Sequence, residues 1–213
     1  MQRRQFLSAG ACASVLVAAP FGGASAQEST QNATEIDTSR VLEMALGAED
    51  APVTMIEYAS FTCPHCQSFH ENAFPSLKAE YIDAGKLRFI YREVYFDRYG
   101  LWAGMVARCG GPEKYFAIVD ILYERQREWL ASSDPAEIAD NLRTIGRVAG
   151  LSEDALEACL ADGDLAQEMV AVYQKNALAD DINSTPSFVI DGQKYQNMNY
   201  ADMSAIIDAR LGG

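Results

Sequence analysis

The stretch SFTCPHCQSFH, Ser60 to His70, places two cysteines, two histidines and a proline side by side. A dithiol redox centre, a metal site and a helix start that merely carries thiols would all fit that composition. The flanking residues decide. PVTMIEYAS, Pro52 to Ser60, is a mostly apolar run suited to a buried strand, so Cys63 follows a strand and a short loop. Pro64 suits a first helical turn, where its missing N–H costs nothing.

A helix starting there sets the Cys63 sulfur against unused N–H groups and the positive end of the helix dipole, and both favour a thiolate. His65 can add a donor or a positive charge. A three-residue step brings Cys66 beneath Cys63, close enough to bridge, with its sulfur more buried and less acidic. Cys63 is therefore the exchanging sulfur and Cys66 the resolving one. A Cys63 pKa of about 4 would favour the reduced form by roughly 4 kcal/mol, equivalent to about 90 mV. The metal reading is weaker. Cys63, Cys66, His65 and His70 are all ligand types, but zinc sites draw on two separated knuckles and the remaining cysteines are far along the chain. His65 lies awkwardly between the cysteines, and His70 reads as a helix-surface or partly buried imidazole. No metal and no cofactor are expected.

The wider chain has 213 residues, 49% of them hydrophobic and 22% charged, enough for one well-buried core. Residues 1–26 have a basic start, an apolar middle from about Ala9 to Phe21, and Ala-Ser-Ala before Gln27. This is the anatomy of a cleavable export signal, too short and too interrupted by Pro20 and glycines for a permanent anchor. RRQFL also resembles a twin-arginine signal, with Gln2 where Ser or Thr is usual. Cys12 is expected to leave with the signal. Removing Arg3 and Arg4 leaves 15 basic against 30 acidic residues, a surface that repels phosphate backbones and excludes nucleic acid as a partner. Outside the cytoplasm disulfides persist. The four cysteines that remain, Cys63, Cys66, Cys109 and Cys159, fit two disulfides or one disulfide and a dithiol.

A polar leader, 27–40, precedes a short edge strand within Val41 to Asp50. After the cysteines, Phe69, Phe74, Leu77 and Tyr81 keep helical spacing until Gly85, and Leu87, Phe89 and Tyr91 then alternate as in a strand. From Tyr99 to Asp181 the spacing is helical, with starts at Asp134 and Ser152; Trp102, Phe116 and Trp129 belong to this helical core. SFVIDGQKY, Ser187 to Tyr195, reads as a hairpin turning at Asp191-Gly192, and ADMSAIIDARL as a closing helix. The order describes an α/β domain, 41–98 and 182–213, interrupted by a helical insert, 99–181.

CPHC and its leading strand IEYASF resemble the DsbA family of exported thiol-disulfide oxidoreductases in the thioredoxin superfamily. TPSFVIDG, Thr185 to Gly192, is similar to the family's second landmark, a cis-proline facing the dithiol, and the resemblance extends from about Val41 to Leu211. It implies a thioredoxin fold with an inserted helical domain, and a dithiol oxidase whose Cys63–Cys66 disulfide passes to cysteines of unfolded exported proteins in the periplasm. It further implies substrate binding by Thr185 and Pro186, proton exchange between Glu57 and Cys66, and a membrane partner resembling a DsbB-like quinone reductase. Some relatives carry a second disulfide in the insert, here Cys109 to Cys159. Family oxidases often have Val where Thr185 stands, whereas Thr also occurs in reductases and isomerases. No long dimerisation domain precedes Val41, so a monomer is expected.

Overall fold

Strand β2, Val53–Ala59, is the axis of the molecule, and its apolar run reflects burial on both faces. The computed structural model describes residues 36–212; the expected signal, Cys12 and most of the leader lie outside them. β2 pairs in parallel with β3, Leu87–Glu93, and antiparallel with β4, Ser187–Ile190. β1, Met44–Leu46, flanks β3, and β5, Gln193–Gln196, flanks β4, giving the order β1-β3-β2-β4-β5. Between β4 and β5, Asp191 and Gly192 take φ of 45° and 79°, the left-handed pair that a two-residue hairpin turn needs. The Asp191 carboxylate also accepts the Thr54 N–H, tying the turn to β2.

Helix α1, Pro64–Asn72, follows β2, and α2, Phe74–Leu77, continues it into a π-helical turn at Lys78–Ile82. Between β3 and β4 stand α3 (Arg98–Cys109), α4 (Gly111–Glu124), α5 (Gln126–Trp129), α6 (Pro135–Val148), α7 (Glu153–Ala161) and α8 (Gly163–Ala179). Helix α9, Tyr200–Arg210, closes the chain. Asp134 and Ser152 cap α6 and α7 by accepting the N–H groups of Ala136 and Ala155. The fold is thus α/β with a helical insertion. No helix among the described residues is long and apolar enough to cross a membrane.

The core differs from simple alternation at β3. Leu87, Phe89, Tyr91 and Glu93 alternate onto one buried face, but Ile90 on the opposite face is buried as well, and Glu93 brings a charge into the core. Burying Glu93 requires compensation, which Arg108 supplies through a two-pronged ion pair at 2.6 and 2.7 Å, with the Tyr115 hydroxyl donating at 2.8 Å. Trp129 is fully buried, while Trp102 and Phe116 are partly buried against the same core. A disulfide joins Cys109, at the end of α3, to Cys159 in α7, with Cα atoms 5.9 Å apart. Helices α6 and α7 come so close at Gly146 that a Cβ there would lie 2.3 Å from Leu156 Cδ2.

Candidate active site

Cys63 is the N-cap of α1, its extended backbone (φ −86°, ψ 119°) turning into the helix at Pro64. No side chain caps this helix, so its first N–H groups face the sulfur. Cys63 is half-buried and Cys66, one turn on, is fully buried; both are free thiols. The Cys63 thiol is pulled down from 9.0 to about 5. The largest cause is the hydrogen bond from the Cys66 thiol; burial opposes it, and the Thr185 side chain and the backbone N–H groups of Cys66 and His65 assist. Cys66 is pushed far up, first by burial, then by the Cys63 sulfur and the negative charge of Glu57. The His65 imidazole is exposed, and it is the backbone N–H of His65 that reaches the sulfur.

The loop carrying Cys63 is clamped from the insert. Gln126, buried at the start of α5, donates to the carbonyls of Phe61 (2.8 Å) and Cys63 (3.0 Å). Tyr123 of α4 donates to the Ser60 carbonyl, and Thr62 donates at 2.7 Å to Asp97, which also caps α3. Across from the dithiol the Thr185–Pro186 peptide is cis, and the Cys63 thiol lies 3.5 Å from the Thr185 carbonyl oxygen. Pairing of Tyr58 with Ser187 holds that segment in register with β2.

Glu57 lies beneath the cysteines with no exposed surface, and its Oε2 is 2.9 Å from Nε2 of His70. His70 is buried, not on the helix surface, and its ring stacks on Tyr123 with centroids 4.3 Å apart. Sequence reasoning thus missed the His70 partnership, along with Gln126, Tyr123 and Asp97. A histidine one helical turn beyond Cys66 falls on the same face of α1 and was a usable signal for the first. Nothing local marks Gln126. Among the described residues no group of three or more His, Cys, Asp or Glu side chains is placed to hold a metal.

A sulfur held down to about 5 over a buried partner, 3.5 Å from the Thr185 carbonyl oxygen, can exchange disulfides. A family model described as Thioredoxin matches residues 39–209. A Rickettsia bellii protein, whose name provisionally gives it protein-disulfide oxidoreductase activity, is 31% identical over 192 residues, covering 87% of this chain and 73% of its own. Wolbachia pipientis alpha-DsbA1 superposes with a TM-score of 0.72 at 30% identity, over 80% of this chain and 91% of its own. The chain belongs to the DsbA-like oxidoreductases of the thioredoxin superfamily. The protein-disulfide isomerase of Novosphingobium aromaticivorans superposes with a TM-score of 0.73 at 25% identity, covering 80% of this chain and 98% of its own. Across several rickettsial relatives, the DsbA-like chain spans between 60% and 73% of their length.

Proposed function

We propose that this DsbA-like protein is an exported, periplasmic dithiol oxidase that donates its Cys63–Cys66 disulfide to cysteines of incoming, partly folded proteins. The observation that carries the reading is the opposed pair of thiols, Cys63 held at about 5 and Cys66 pushed far up. A client thiolate attacks Cys63, the more accessible sulfur, and Cys66 leaves. The client's second thiolate then attacks its own sulfur in the mixed disulfide and releases Cys63 as a stable thiolate. The low pKa makes Cys63 a good leaving group in that last step, which favours oxidation of clients over their reduction.

Pro64 starts the helix that stabilises Cys63, and His65 supplies a backbone donor. The Thr185 carbonyl and Pro186 offer an edge on which an extended client segment can pair beside Cys63. Glu57 exchanges a proton with Cys66. The Cys109–Cys159 bond is structural. The protein acts as a monomer, and a membrane quinone reductase of DsbB type renews its disulfide. The test is the equilibrium constant of the Cys63–Cys66 couple against glutathione, combined with oxidation of a reduced two-cysteine peptide. A couple more oxidising than glutathione, with activity lost in Cys63→Ser, supports the reading; a couple as reducing as thioredoxin refutes it in favour of a reductase.

A further inference from the structure

One buried pair, Glu57 and His70, lies between the dithiol and a cleft beside α1. Glu57 has no exposed surface, and its charge is close enough to Cys66 to push that thiol up. Its Oε2 meets His70 Nε2 at 2.9 Å. His70 also lines a cleft of about 360 Å³ where α1 and α2 meet α4, with Lys78, Asp120 and Glu124 on its walls. Glu57 Oε1 and His70 Nδ1 are buried without a protein partner. Each side chain therefore keeps one atom free to pass on a proton received through the other.

We propose that His70 is a positioning residue that carries protons between the α1–α4 cleft and Glu57, so that Glu57 can protonate the Cys66 sulfur while a client covers the active-site face. The inference rests on the exchange function proposed above. When a client thiolate attacks Cys63 Sγ, the Cys63–Cys66 bond breaks and its electron pair stays on Cys66. Glu57 gives that sulfur a proton, His70 returns one to Glu57, and water in the cleft returns one to His70. The second client thiolate then displaces Cys63 as a thiolate, so two electrons pass from the client dithiol to the enzyme and one proton ends on Cys66. Without this supply a fully buried site would hold an extra negative charge beside Glu57, an arrangement that low-dielectric surroundings strongly disfavour. The groups facing His70 are Glu57 from β2, Tyr91 from β3, and Tyr123 and Asp120 from α4, with Phe69 and Phe74 completing its apolar packing. Lys78, Glu71 and Glu124 share the cleft.

The test is single-turnover reduction of the Cys63–Cys66 disulfide by glutathione, from pH 5 to 9, in the full chain. His70→Gln keeps a donor toward Glu57 in a similar volume but carries no transferable proton. It is expected to slow reduction by roughly a hundredfold and to flatten the pH profile that remains after correction for the glutathione thiolate. Glu57→Gln is expected to do the same, and the double variant to lose no more than either alone, because the two act in series. A cooperatively folded His70→Gln protein with the wild-type profile, or losses that multiply in the double variant, overturns the inference. Should the variants fail to fold, proton NMR of the wild-type disulfide form decides, since the chain has only two histidines and the exposed His65 serves as control. A His70 ring signal that moves with pH supports the relay, and one that stays fixed while that of His65 moves overturns it. A wild-type disulfide inert to glutathione at every pH is a separate failure, that of the exchange function itself.

Discussion

Lowering the pH through 5 should change how the Cys63–Cys66 couple takes up protons. With Cys63 at about 5 and Cys66 pushed far up, reduction at pH 7 binds two electrons but a single proton, on Cys66. Cys63 is then ionised by about 100 to 1. The midpoint potential should fall by about 30 mV per pH unit between pH 5 and 9, and by about 59 mV per unit below 5, where Cys63 also binds a proton. The same ionisation stabilises the reduced folded state. The folded pKa lies below the unfolded value of 9.0, so this contribution is complete above pH 9 and is lost as the pH falls through 5. At pH 7 two units of that span act, at most roughly 2.7 kcal/mol, and solvent screening of a half-buried sulfur reduces this to about 1.4 kcal/mol, or about 30 mV. The figure falls short of the roughly 90 mV expected from a pKa of about 4, because burial opposes the donors and leaves the pKa about one unit higher, and because screening halves what remains. The assay is equilibration with glutathione buffers from pH 4 to 9, followed by alkylation and mass analysis. A uniform slope of about 59 mV per unit across pH 4–9 would mean that Cys63 stays protonated, and the thiolate argument would fall.

Three further outcomes concern stability. Replacing Cys109 and Cys159 by serine opens a loop of 50 residues, and denaturant unfolding should register a loss of about 4 kcal/mol on the chain-entropy model. Arg108→Leu strands the buried Glu93 carboxylate, so calorimetry should show destabilisation of about 3–5 kcal/mol, partly recovered by adding Glu93→Gln. Gly146→Ala forces a methyl against the buried Leu156 side chain, and urea titration should report a cost of about 1–3 kcal/mol; no change in midpoint would show that α6 and α7 separate freely.

Much of this architecture is legible in local chemistry. Asp191-Gly192, Pro64, Asp134 and Ser152 announce a turn and three helix starts, because a positive φ, a missing N–H and a side-chain acceptor are requirements met by the residues themselves. What escaped was tertiary. Alternation in β3 names one buried face but says nothing about the other, where Ile90 is buried too, nor about the partner that lets Glu93 take its place among the apolar residues. His70 reads as a helix-surface or partly buried imidazole, and only the packing of α1 brings it to Glu57. Within the site, CPHC fixed the asymmetry of the sulfurs, but the principal donor to Cys63 is its neighbour Cys66, with the His65 imidazole turned to solvent. Gln126 stands 60 residues beyond Cys66 in a polar run, QREW, with no periodic or spacing cue.

That glutamine determines what can be removed from the enzyme. A miniature made by splicing the end of β3 to Thr185, just ahead of β4, would retain CPHC, the buried acid and the cis-proline, yet the carbonyls of Phe61 and of Cys63 itself would lose their anchor. Such a splice should yield a protein that carries the full signature of its chemistry and holds it slackly. The inserted helices are half of the vice that grips the reactive sulfur.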